Sequence, residues 1–153
     1  MEPEAYSYIG HQLSEQGYLV GIPQMLFNFP ILDTNKANEI IDNYSSISHW
    51  FIGGVGRCFS SKLCLQLPQE ASGLILLGAY PTEDTDFSNT QLPKLSIYAE
   101  HDDLTTLHDI KDTRNLLSKS VVFYQIDGGN HAQFGMYGPR REDRSANITV
   151  KEQ

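Results

Sequence analysis

Two short stretches concentrate the side chains that could do chemistry. Glu100-His101-Asp102-Asp103 gathers carboxylates around an imidazole, and Asp127-Gly128-Gly129-Asn130-His131 ends in another imidazole. An acid that fixes the tautomer of a histidine, and a histidine that deprotonates a hydroxyl or thiol, are the supporting members of a nucleophile–histidine–acid triad. Carboxylates and histidines also populate loops simply because loops are wet. Where the two stretches fall in the fold therefore decides between the readings.

Both stretches directly follow apolar runs. Leu95-Ser96-Ile97-Tyr98-Ala99, introduced by Pro93, precedes the first, and Val121-Val122-Phe123-Tyr124-Gln125-Ile126 precedes the second. Each reads as a buried strand, as do Tyr18-Leu19-Val20-Gly21-Ile22, His49-Trp50-Phe51-Ile52 and Gly73-Leu74-Ile75-Leu76-Leu77-Gly78. Helical signals lie between them. Pro3 suits a first turn and Ala5, Tyr8, Ile9 and Leu13 share one face up to the stop at Gly17, which predicts a helix over Pro3–Gln16. Asp33 or Thr34 can cap a helix through Ala37, Ile40, Ile41 and Tyr44; another runs from about Phe59 to Leu67; Thr105 or Thr106 can cap one carrying Leu107, Ile110 and Leu117.

Strands that alternate with helices and are apolar on both faces predict an α/β fold, a mostly parallel sheet of about five strands sandwiched by helices. Such a sheet binds ligands beyond the carboxyl ends of its strands. Both chemical stretches sit there. The polar tail after Gly138 carries Arg140, Arg141, Glu142, Asp143 and Arg144, and its mixed signs predict a solvated loop.

Composition narrows the function classes. The 153 residues suit one domain, with 40% hydrophobic and 20% charged side chains. Eleven Lys+Arg against 19 Asp+Glu leave a net charge of −8, which opposes nucleic-acid binding. No apolar run approaches the roughly 18 to 20 residues that span a bilayer, and Met1-Glu2-Pro3-Glu4 lacks the basic-then-apolar order of a signal peptide. A cytoplasmic domain is the expectation. Cys58 and Cys64 are too few for a disulfide scaffold and wrongly spaced for a metal knuckle. Gly54-Val55-Gly56 lacks the third glycine of a dinucleotide fingerprint, and Asp84-Thr85-Asp86-Phe87-Ser88 lacks the glycine and glutamate of a calcium loop. His101 and His108 are unsuited to a shared metal, and the sequons at Asn43 and Asn147 mean little without secretion.

Several stretches resemble a bacterial branch of the α/β-hydrolase superfamily: Pro3-Glu4-Ala5-Tyr6 with Gly17-Tyr18-Leu19-Val20, His49-Trp50-Phe51-Ile52-Gly53-Gly54, Gly73 to Pro81, Leu95-Ser96-Ile97-Tyr98, and above all Gly128-Gly129-Asn130-His131-Ala132-Gln133-Phe134-Gly135. The resemblance runs almost from end to end. It implies a partial α/β-hydrolase fold as a single domain over 1–153, in which the N-terminal strands with the oxyanion loop, and the C-terminal helix begun by Ile148 to Gln153, are missing. It makes Asp102 the triad acid and His131 the base, with Asp103 standing where the family usually has a small residue, so that a swap of the two aspartates stays open. The implied activity is hydrolysis of a small ester, lactone or related acyl substrate, with no metal or organic cofactor.

The sequence departs from the family at the nucleophile. No Gly-x-Ser-x-Gly elbow occurs, and aligned directly from the strand the nucleophile position holds Gly56. Shifted by two residues, Val55-Gly56-Arg57-Cys58-Phe59-Ser60 is similar to the cysteine elbow of dienelactone hydrolases. That similarity implies Cys58 as attacker and the Phe59 backbone N–H as an oxyanion donor, with Ser60 or Ser61 as alternatives. A thiolate beside Arg57 and an imidazole would have a lowered pKa, whereas a free cysteine is otherwise a small buried hydrophobe. With one oxyanion donor, turnover is expected to be weak or undetectable, since losing a donor costs about 10²–10³ in rate. The competing expectation is a catalytically dead remnant, a pseudoenzyme or interaction module. The missing strand also predicts poor cover of Leu19, Val20 and Phe51, and self-association through exposed sheet edges.

Overall fold

A computed structural model describes residues 3–24, 36–56 and 70–153. The described elements open with a 3-10 turn, Pro3–Tyr6, that continues into α1 (Ser7–Glu15). Gly17, at φ +90°, follows the helix in the left-handed conformation that an ordinary residue resists. Then come α2 (Lys36–Asn43), β1 (Trp50–Val55), β2 (Ala71–Leu77), β3 (Lys94–Ala99), α3 (Leu107–Asp112) and β4 (Val122–Ile126). The sheet is parallel throughout, in the order β1-β2-β3-β4.

Because side chains alternate along a strand, the register sorts the apolar residues onto two faces. Leu74 and Leu76 of β2 pack on one face with Ala79, Phe87 and Leu117, and Ile52, Leu92, Val121 and Phe123 lie against them. Val55, Ala99 and Phe134 form the other cluster, with Tyr6, Leu77, Ile97 and Ile126 around it. β2 is the best covered strand because β1 and β3 flank it, and so its run is apolar on both sides. Among the described strands β4 lies at an edge, and its Val122 and Tyr124 are exposed.

Four of the expected strands are present and one is not. Tyr18–Ile22 forms neither helix nor strand and pairs with none of the described strands. It passes between the helices, where Val20 and Ile22 meet Gly10 of α1 and Ile40 of α2 meets Gly21. A short apolar run supplies a strand's side chains but not its hydrogen-bonding partner, and without a neighbour no ladder forms. The helix expected over Pro3–Gln16 is split into a 3-10 turn and α1, and the third helix ends at Asp112, followed by a 3-10 turn at Arg114–Leu116 that delivers Leu117 to the core. Thr106 is its cap: its hydroxyl accepts from Asp109 N, and the Asp109 carboxylate answers at Thr106 N. The helix expected from Phe59 to Leu67 lies outside the described residues.

The tail is the largely exposed loop that its mixed charges predict, with Arg140, Arg141, Glu142 and Arg144 all exposed, but it is tethered to the site. The Arg144 guanidinium reaches Asp103 and the Glu100 carbonyl, Asn147 N donates to Gly128 O, and Gln133 donates to Ile148 O. Mixed charge is what a strap needs when it crosses two loops that are themselves polar.

Candidate functional site

The carboxyl ends of β3 and β4 carry the candidate acid and base. β3 stops at Ala99, and the chain turns so that Asp102 N donates to Ala99 O. The Asp102 Oδ1 then accepts from Leu104 N at 2.9 Å and Thr105 N at 2.6 Å. An aspartate side chain bonding the backbone two and three residues on is a local turn that needs no other support. Thr105 adds a tie to the neighbouring strand by donating its hydroxyl to Gly78 O at the end of β2.

His131 is placed by a cap. Asn130 stands in an extended conformation before the 3-10 turn His131–Phe134, and its Oδ1 accepts from Gln133 N. The Asn130 backbone is bracketed by the Gln153 side-chain amide, which accepts from its N–H and donates to its carbonyl. Phe134 lies edge-on to the imidazole, with ring centres 6.3 Å apart.

These two loops bring Asp102 Oδ2 to 2.8 Å from His131 Nδ1, and both side chains are buried. A carboxylate accepts and does not donate, so the proton of this contact sits on Nδ1, which in the neutral imidazole leaves the lone pair on Nε2. Among the described residues nothing hydrogen-bonds Nε2. The approach is tight: at Gly78, whose φ is +47°, a Cβ would stand 2.9 Å from Asp102 Oδ2 and equally close to the Phe134 ring. Only glycine fits there without strain.

Asp103 points elsewhere and pairs with Arg144 at 2.9 Å, so Asp102 rather than its neighbour meets the imidazole. His101 lies apart from the pair, with its Nδ1 3.1 Å from Ser145 O. Gly56, just beyond β1, holds a left-handed backbone at φ +76° and donates to Gly78 O. Cys58, Phe59, Ser60 and Ser61 lie outside the described residues. The Tyr6 and Tyr137 hydroxyls share a hydrogen bond, and burial above all pushes the Tyr6 hydroxyl far above its ordinary range. The neutral pair pins the turn before α1 under the loop that follows His131. Among the described residues no group of three or more His, Cys, Asp or Glu is arranged to hold a metal, and no helix is long and apolar enough to cross a membrane.

Sequence reasoning missed Asn130, Gly78 and Gln153. The Asn130–Gln133 spacing is a cap signature visible in the sequence. Gly78 and Gln153 act through distant contacts and leave no local signal.

A parallel sheet with an acid and a histidine on adjacent strand-end loops defines a class of α/β-fold hydrolases. The profile of the alpha/beta hydrolase family matches residues 1–153, and the chain belongs to that family. Comparison with curated proteins gives no match. Among solved structures, the chain is similar to an alpha/beta hydrolase enzyme from the metagenome of sediments from the lagoon of Mar Chica, Morocco (14% identity over 84% of this chain and 76% of that one, TM-score 0.63). It is also similar to an alpha-beta serine hydrolase homologue from Coxiella burnetii (17% identity, 86% and 69% covered, TM-score 0.61). A third is the naproxen esterase of Bacillus subtilis (11% identity, 72% and 63% covered, TM-score 0.56).

Proposed function

We propose that the chain hydrolyses a small ester, lactone or related acyl compound through a covalent acyl-enzyme. The observation that carries this reading is the 2.8 Å contact between Asp102 and His131 at the carboxyl edge of the sheet. Asp102 holds Nδ1–H, His131 takes a proton through Nε2, and the imidazolium that forms is stabilised by the buried carboxylate. The first residue beyond β1, Gly56, has no side chain to attack with; the similarity of Val55 to Ser60 to a cysteine elbow supports Cys58 as the nucleophile, with the Phe59 N–H donating to the developing oxyanion.

The proton balance is simple. Cys58 gives its proton to His131 and attacks the carbonyl carbon, His131 returns the proton to the departing alkoxide, and water then releases the acid by the same route. The substrate class finds support in the family and in one similar structure being an esterase. Hydrolysis of a chromogenic acetyl ester by the purified chain, beside Cys58→Ala and His131→Ala, tests the reading. Turnover lost in both variants is the expected result. Turnover that survives Cys58→Ala would move the nucleophile to Ser60 or Ser61, and turnover that survives His131→Ala would overturn the reading.

A further inference from the structure

The strap formed by the tail touches both loops of the acid–histidine pair, and Asp143 does so with a single functional group. Its Oδ1 accepts from Asp103 N at 3.2 Å, and its Oδ2 accepts from Ala132 N at 2.9 Å. Asp103 is the residue after Asp102, and Ala132 is the residue after His131. We propose that Asp143 is a positioning residue whose two carboxylate oxygens, each holding one backbone N–H, fix the spacing at which Asp102 and His131 meet. This rests on the reading of those two side chains as the working pair.

The chemistry of the donors explains why a carboxylate is needed. Ala132 N belongs to the first turn of a 3-10 helix, where backbone donors lack partners within the helix. Ala132 is buried, so leaving its N–H unpaired is costly. A carboxylate has two acceptor oxygens at a separation set by covalent geometry, whereas an asparagine amide offers one acceptor and turns N–H towards the second donor. Charge alone does not account for Asp143, because Glu100 and Asp103 already make this corner acidic and Arg144 beside it carries the compensating charge. The Arg144 carbonyl in turn accepts from Asn130 Nδ2, so the strap is anchored on the cap of the His131 turn as well.

The Nδ1 proton of His131, held in a buried hydrogen bond to a carboxylate, gives a low-field proton resonance that reports the geometry of the contact directly. The test compares this resonance in the native chain, Asp143→Asn, Asp143→Glu and Glu142→Gln, with circular dichroism confirming that each is folded. Asp143→Asn keeps the volume and removes one acceptor. Asp143→Glu keeps the charge and both acceptors but lengthens the spacer by a methylene, and it decides the matter if Asp143→Asn does not fold. Glu142→Gln removes the same charge one residue away. The expected result is a resonance that is shifted or lost in both Asp143 variants and unchanged in Glu142→Gln. A native-like resonance in both folded Asp143 variants would overturn the role of Asp143 alone, and an effect equal in Glu142→Gln would reduce it to charge. Absence of the resonance from the native chain would overturn the pair itself, and this proposal with it.

Discussion

Asp102 satisfies three donors with two oxygens, and each bond constrains a different part of the site. Replacing it by asparagine preserves an oxygen for Leu104 and Thr105 but turns an amide N–H towards His131 Nδ1–H. The imidazole must then take the other tautomer or swing away. We expect Asp102→Asn to lower any turnover by about 10⁴, the cost found when such an acid becomes an amide, and to destabilise the chain by about 1–3 kcal/mol through the buried mismatch. Urea unfolding and ester hydrolysis read the two effects, and an unchanged variant would mean that the contact does nothing. Gly78→Ala tests the same contact from behind. Its Cβ would crowd both Asp102 and Phe134 from a left-handed backbone, at a cost of about 1–3 kcal/mol. An unaltered urea midpoint would contradict that expectation.

At the scale of elements, the strands that could be read from the sequence are those that pair with a described neighbour. Leu74 and Leu76 announce β2 because both faces are buried, and Pro93 and the run behind it announce β3. The short run at Tyr18–Ile22 has the same composition but pairs with no described strand, and composition does not report pairing. The two loops were legible because strand ends are where such sheets bind ligands, and the family resemblance singled out Asp102 and His131 within them. Their supports were not, since Asp143 and Gln153 contact the loops from the far end of the chain. The turn that presents Gln153 has its own pH dependence. Glu152 is held below its ordinary 4.5 by the Thr149 backbone N–H and then its hydroxyl. A depressed folded pKa contributes stability that is present above the unfolded value and lost as pH falls through the folded one. The Thr149 amide resonance should therefore shift below about pH 4.5, together with the loss of the Gln153 contacts to Asn130. A Thr149 amide that does not move in that range would contradict these two hydrogen bonds to Glu152.

For the whole molecule, the unusual feature is apolar surface on the sheet. Phe51 is 58% exposed, Val122 60% and Tyr124 61%, all on one face by register, and Leu19 is also exposed. β1 and β4 both present an open edge among the described strands. Open edges beside apolar faces template association. We expect the isolated chain to self-associate as concentration rises, and Val122→Lys with Tyr124→Lys to reduce this. Sedimentation velocity reads it, and a single monomer species across the concentration range would show that the face is tolerated.

Acyl-enzyme trapping tests the hydrolase reading most directly, because a covalent intermediate is detectable even when turnover is slow. The chain is mixed with a chromogenic acetyl ester, quenched in acid, digested and analysed by mass spectrometry. The predicted result is one acetyl group on the peptide containing Cys58, absent in Cys58→Ala and much slower to form in His131→Ala. An acetyl group that forms at the same rate without His131, or that never appears on the segment holding Cys58, Ser60 and Ser61, would contradict it.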